Sequence, residues 1–251
     1  YRTRIIMARH GFGLGEYKYF AYPLPPLLDQ LRHALYSRLV PIATRWNRQL
    51  GIDVRYPDGL GAYLRRCHEA GQTRPTPLIL QYGEGDYNCL HQDLYGEHVF
   101  PLQVAILLSE PGRDFTGGEF VMTELSTKGQ RADVVPLRKG DAVVFTVNQR
   151  PVAGARGWRR VAMRHGVSAL RGGRRHTLGV IFHDPPTATL GSREMPGAQW
   201  FPGATLNYAE HALTPGPGRE DGDVAVVGVP HPKWGDAQPL AEVLTGRDIE
   251  R

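Results

Sequence analysis

Residues 77–184 constrain the fold more than any other part of the chain, because short runs of β-formers follow one another there with no helical period between them. The runs are "LILQY" (Leu78 to Tyr82), "LQVAILL" (Leu102 to Leu108), "GEFVMTE" (Gly118 to Glu124), "DAVVFTV" (Asp141 to Val147), "RVAMRHGVSAL" (Arg160 to Leu170) and "RHTLGVIF" (Arg175 to Phe182). "PGRDFTGG" and "PLRKGD" supply turn residues between them. Parallel strands need long, usually helical crossovers, so a βαβ sheet is disfavoured and an antiparallel double sheet is expected.

The flanks differ. Leu27, Leu28, Leu31, Leu35 and Leu39 form one helical stripe that Pro41 is expected to interrupt, and helical pieces follow over 42–51 and 60–71. Residues 1–76 therefore read as a helical support region, 77–184 as the β core, and 185–251 as a Pro/Gly-rich tail that is loosely packed or partly disordered. The expected class is mainly β with N-terminal helices, a jelly-roll-like core.

An apolar share of 41% and a charged share of 22% are those of a soluble globular protein, and the longest apolar run, Val104 to Leu108, is far too short for a membrane helix. With no charged-then-apolar leader and only Cys67 and Cys89, both expected to be reduced, a cytoplasmic home is expected. The net charge of +5 invites a polyanionic partner, but 26 Arg against four Lys, with 30 Gly and 20 Pro, has the look of GC-rich coding, which raises the Arg count without any partner.

Within "QYGEGDYNCLHQDLYGEHVF", His91 and Asp93 lie one residue apart. Ten His and 13 Asp in 251 residues give roughly half such a pair by chance, so the pair alone is weak. On a strand, however, residues i and i+2 share a face, and an imidazole beside a carboxylate supplies two ligands of a facial triad. His165, in a later run, fits as the third, and Arg175 follows it by ten residues. A planar, permanently charged guanidinium there suits a bidentate grip on a carboxylate.

Tyr82, Gly85, His91, Asp93, "GGEF" at Gly117 to Phe120, "PLRKGD" at Pro136 to Asp141, and His165 with Arg175 come in the order found in the Fe(II)/2-oxoglutarate-dependent oxygenases, which the chain resembles over about 77–184. More narrowly, Arg74 to Phe120 resembles a bacterial subgroup catalogued as oxygenases acting on damaged DNA. The resemblance implies a double-stranded β-helix, Fe(II) on His91, Asp93 and His165, and the distal carboxylate of 2-oxoglutarate on Arg175. It also implies a hydrogen bond from Tyr82 to that carboxylate and places Thr177 on the same face; on their own, Tyr82 reads as a packed aromatic and Thr177 as an ordinary strand residue. The implied reaction consumes O2, decarboxylates 2-oxoglutarate to succinate and hydroxylates a C–H bond; a hydroxylated N-methyl group would leave as formaldehyde. The alkylation-repair oxygenases carry a second Arg six residues after the first, where this chain has Ile181, so it is not a close member of that branch.

Eleven Arg or Lys stand against two acids between Arg131 and Arg175, and Asn148 to Gly166 reads as a basic insertion holding Trp158. Such a loop would suit extraction or stacking of a base from nucleic acid, and would equally serve as a solvated lid. A prolyl or small-molecule hydroxylase, and a non-oxygenase metal-binding protein on the same scaffold, are the alternatives; the second has no need of Arg175. His68, His98 and His183 lack partners at ligand spacing and read as packing or surface residues, and Cys89 precedes His91 by two. In the tail, Gln199 to Leu213 resembles the entry segment of acetoacetyl- and acetyl-CoA synthetase-type ligases and Val224 to Gly246 a C-terminal piece of acyl-CoA ligases. The adenylate-binding loop that should separate them is absent, so a ligase-like remnant without ligase activity is expected.

Overall fold

The computed structural model describes residues 1–186 apart from 95, 127, 128 and 156, and, beyond them, residues 224–226 and 244–245. The chain divides into two compact units, Tyr1–Thr187 and Ala188–Arg251. In the second unit, β15 (Val224–Val226) pairs antiparallel with β16 (Leu244–Thr245). The ligase-like stretches otherwise lie outside the described residues.

In the first unit, α1 (Pro26–Gln49) starts with a proline at its first position, where a fixed φ helps and the missing N–H costs nothing. It buries Leu28, Arg32, Tyr36, Leu39, Val40, Ala43 and Asn47 along one stripe. The expected break at Pro41 does not occur: the helix runs through it with the ring facing solvent. An interior proline costs about 3 kcal/mol, whereas each large apolar side chain buried along this stripe contributes about 1.5–3 kcal/mol, so packing outweighs the local defect. Tyr36 docks the helix, its ring 5.0 Å from Phe100 and 5.6 Å from Tyr63 of α2 (Leu60–Glu69). Both helices share a core with Leu102, Val104 and Val180, on strands of one of the two six-stranded sheets.

That sheet has the order β1 (Thr3–Ile6), β3 (Glu16–Tyr19), β4 (Leu78–Tyr82), β14 (Arg175–Val180), β6 (Leu102–Leu107), β10 (Ala142–Thr146). The second sheet runs β2 (Gly13–Leu14), β5 (Tyr87–His91), β12 (Gly157–Val167), β8 (Phe120–Ser126), β9 (Gly129–Val135), with β11 (Gln149–Gly154) hairpinned onto β12. Every pairing within the two sheets is antiparallel. A short ribbon, β7 (Phe115–Gly117) with β13 (Leu170–Gly173), joins their margins. Together they form the expected jelly roll, with Ala105, Phe120 and Phe145 in one inner cluster and Tyr82, Leu107, Phe115, Val167 and Leu170 in another.

The region read as helical throughout, residues 1–76, holds both helices but opens with three strands that extend both sheets. They are two to four residues long and interrupted by glycines, too short to show a two-residue period. The segment 148–166, read as an inserted loop, is a hairpin whose second strand carries His165. The run from Arg160 was read as a strand, and Val161, Met163 and His165 do alternate as buried residues with exposed Ala162 and Arg164; what the sequence did not show is that the strand begins at Gly157 and pairs with β11.

Asp184 closes the first unit. It is fully buried, accepting from Arg32 Nη2 at 2.9 Å and from Tyr22 Oη at 2.8 Å, with His68 Nε2 at 3.0 Å. Arg32, equally buried, also donates to the carbonyls of Ile181 and Phe182. The network ties α1, α2 and the chain after β14 together, which is why the core's boundary falls just beyond it. No helix among the described residues is long and apolar enough to cross a membrane.

Candidate metal centre

Antiparallel pairing sets His91, the last residue of β5, directly opposite His165 of β12, with ring centroids 4.2 Å apart. Asp93 follows the strand end, its N–H donating to the Val147 carbonyl at 3.2 Å, and this turns the carboxylate back between the imidazoles. Oδ1 is 3.5 Å from His91 Nε2 and Oδ2 is 3.3 Å from His165 Nε2. One ligand atom from each lies within 4.8 Å of the others, the one such group of three among the described residues. His91 Nδ1–H donates to the Cys89 carbonyl at 2.7 Å, which turns the Nε2 lone pair toward the cluster. Cys89 thus contributes its backbone, and its thiol faces solvent.

Gln103 of β6 donates to Asp93 Oδ2 at 2.8 Å and orients that carboxylate. Phe145 meets the His165 ring edge-on at 4.6 Å, and Phe120 lies along it at 6.2 Å. Sequence reasoning missed Gln103, although a lone amide inside "LQVAILL" was a usable signal: at 3% exposure it needs a buried partner.

Burial and the neighbouring His165 push the His91 imidazole below its ordinary value. Burial opposes ionisation of Asp93, but the hydrogen bond and charge of His165, the charge of His91 and the Gln103 amide outweigh it and hold the carboxyl well below the usual range. A neutral His91 beside an ionised carboxylate is the state that metal ligation requires. Two imidazole nitrogens and one carboxylate oxygen on one side leave the remaining coordination positions open, the donor set and geometry suited to a non-haem iron.

From this cluster a cavity of about 180 Å³ runs between the sheets to Tyr82, Arg175 and Thr177. Arg175 heads β14 opposite Tyr82 of β4, so the pair closes the far end. The guanidinium, 2% exposed, donates through Nη1 to Thr177 Oγ1 at 2.5 Å and has its carbon 5.7 Å from the Tyr82 ring and 5.9 Å from Phe115. Arg175 Nε and Tyr82 Oη are buried without a hydrogen-bond partner, and no described acidic side chain pairs with the guanidinium. Burial lowers the Arg175 pKa and raises that of the Tyr82 phenol. A buried, unpaired cation is costly unless an anion meets it, and these donors converge where a small carboxylate would lie. Gly118 makes room for the arrangement: at φ +62° a Cβ would stand 2.5 Å from Leu170 Cδ1 and 3.2 Å from Arg175 Cδ.

All six candidate residues, His91, Asp93, His165, Arg175, Tyr82 and Thr177, line this one cavity. His68 is instead bound to Asp184, and His183 is buried with its Nδ1 accepting from the Phe100 N–H at 3.3 Å. In the basic hairpin, Arg150 pairs with Glu124 and Trp158 is half exposed.

The model of a family described as "oxygenase, catalysing oxidative methylation of damaged DNA" matches residues 15–185. Two curated proteins from strains of Mycobacterium tuberculosis, both described as uncharacterized, are each 49% identical over 166 residues, covering 66% of this chain and 71% of theirs. Among solved structures, a Pseudomonas putida prolyl-4-hydroxylase is 15% identical with a TM-score of 0.41, covering 70% of this chain and 76% of its own. An oxidoreductase of the 2OG-Fe(II) oxygenase family from Burkholderia pseudomallei is 22% identical with a TM-score of 0.32, covering 44% of this chain and 43% of its own.

Proposed function

Because the chain belongs to this oxygenase family, we propose that it is an Fe(II)- and 2-oxoglutarate-dependent dioxygenase that hydroxylates a C–H bond, with alkylated nucleic acid as substrate and loss of the oxidised methyl group as outcome. The observation that carries the cofactor assignment is Arg175: a buried guanidinium with no acidic partner, across one cavity from a His/Asp/His cluster. A hydrolytic zinc protein would need the cluster alone.

On this reading His91 Nε2, His165 Nε2 and the Asp93 carboxylate hold the metal. Gln103 keeps Asp93 turned toward it, and the Cys89 carbonyl keeps His91 in the ligating tautomer. Arg175 takes the distal carboxylate of 2-oxoglutarate, with Thr177 steering the guanidinium and the Tyr82 hydroxyl donating to the same carboxylate. When bound, iron and 2-oxoglutarate supply activation of O2, decarboxylation to succinate and transfer of one oxygen atom to the substrate carbon. Phe120, Phe145 and Val104 line the walls and exclude water, which strengthens the Arg175–carboxylate attraction.

The nucleic-acid assignment rests on the family description and on the arginine-rich hairpin beside the cavity. Its test is incubation of the full chain with Fe(II), 2-oxoglutarate and a single-stranded oligonucleotide bearing an N-methylated base, with succinate and formaldehyde measured together. Oligonucleotide-dependent release of both supports the reading. Succinate formed at the same rate without the oligonucleotide, and no formaldehyde, contradicts this substrate class.

A further inference from the structure

Phe12 stands at the mouth of the metal cavity and is 44% exposed, an unusual position for a phenyl group held as firmly as this one. Its N–H donates to the Met7 carbonyl at 3.3 Å and its carbonyl accepts from the Cys89 N–H at 2.9 Å, two residues before His91. Gly13, next in the chain, has φ +125°, and a Cβ there would lie 2.3 Å from the Tyr87 carbonyl oxygen, so the turn is clamped onto β5 in a form that only glycine allows. The His10 ring lies against the phenyl at 5.5 Å and 20°, backing it with a second flat surface. Core packing accounts for none of this, since neither ring is buried. The turn joins the sheet that carries the metal cluster, and at the other end of that sheet Arg150 pairs with Glu124 and Arg131 with Asp133, while Arg159 is exposed beside them.

We infer that Phe12, backed by His10, is a positioning residue for the substrate: a platform on which the planar ring of a nucleobase stacks, so that a group on its edge faces His91, Asp93 and His165. Aromatic faces accept any base, while cationic side chains on the same sheet attract the phosphodiester chain. This rests on the proposed reading of the cavity as an oxygenase site acting on nucleic acid. It adds the residue that turns the base.

Two variants test it in the full chain. Loss of one base–aromatic stack weakens binding by about 10- to 100-fold, so Phe12→Ala is expected to raise KM for a methylated single-stranded oligonucleotide by that factor. kcat for that oligonucleotide falls as well, because the base is no longer turned toward the cluster, while the Tm and the binding of Fe(II) with 2-oxoglutarate stay as in the wild type. Phe12→Trp is expected to keep activity and to add a fluorescence that the oligonucleotide quenches; the same oligonucleotide with an abasic site in place of the methylated base leaves it unquenched. Binding, followed by anisotropy, with equal quenching by both oligonucleotides, or an unchanged KM in Phe12→Ala, overturns the platform and leaves the nucleic-acid reading intact. A wild-type protein that binds neither oligonucleotide overturns both.

Discussion

Replacing Arg175 by methionine separates what the residue does for the fold from what it does for a ligand. In the free protein the guanidinium is 2% exposed, makes one side-chain hydrogen bond, to Thr177, and has no acidic partner. Replacing a buried ion pair by apolar side chains of similar volume is neutral or stabilises proteins by about 1–4 kcal/mol, and an unpaired buried guanidinium has no ionic attraction to lose. The lost Thr177 bond returns about 1 kcal/mol of that, leaving a net gain of about 0–3 kcal/mol. At about 3 °C per kcal/mol for a domain of this size, the Tm should hold or rise by up to about 9 °C. Binding should move the other way: truncating one partner of a buried charge pair costs about 2–5 kcal/mol, a loss of about 30-fold or more in 2-oxoglutarate affinity. The assay is thermal unfolding with Mn(II), with and without 2-oxoglutarate. The wild type should be stabilised by the acid, Arg175→Met should begin no lower and respond little, and Arg175→Lys, which keeps the charge but not the fork, should fall between. A variant that unfolds several degrees earlier yet is still stabilised by the acid would make Arg175 structural and refute the reasoning.

Asp184→Ala leaves Arg32 buried without its carboxylate and should cost about 3–5 kcal/mol in urea unfolding, whereas Asp184→Leu combined with Arg32→Met should recover most of the loss. A loss below about 1 kcal/mol would mean that water reaches the pair. Burial pushes the His183 pKa down to about 4. The unfolded chain takes up that proton near pH 6.5 while the folded one resists, so this contribution to stability is complete above about pH 6.5 and is lost as pH falls toward 4, by about 3 kcal/mol at the low end. Urea midpoints at pH 7.5 and 4.5 should therefore diverge less in His183→Gln than in the wild type, and equal divergence would contradict the assignment.

Strand identity was legible where apolar alternation was dense, as in β4, β6 and β14, and the grouping of His91, Asp93 and His165 was legible because residues i and i+2 of a strand share a face that a later strand can meet. What escaped was set by contacts distant in sequence. Pro41 alone predicts a break, and only the face packed on Phe100 and Phe182 explains why none occurs. Nothing in the sequence marked Asp184 as a buried hub, since its partners Arg32, Tyr22 and His68 lie over a hundred positions earlier. Phe12 and the two-residue β2 that follows it are held by β5, so their pattern has no meaning until that pairing exists. Tyr82 and Thr177 were ambiguous singly; register sets Tyr82 opposite Arg175, and the two-residue period of β14 puts Thr177 beside the same guanidinium.

The central claim is that the cavity holds iron and 2-oxoglutarate together. Its most direct test is anaerobic addition of Fe(II) and then 2-oxoglutarate to the purified chain, watching for the weak visible charge-transfer band of the chelate, with Asp93→Ala and Arg175→Met as controls. A band is expected in the wild type, none in Asp93→Ala, and one requiring far more 2-oxoglutarate in Arg175→Met. Wild-type protein with metal demonstrably bound and no band at saturating 2-oxoglutarate would contradict it.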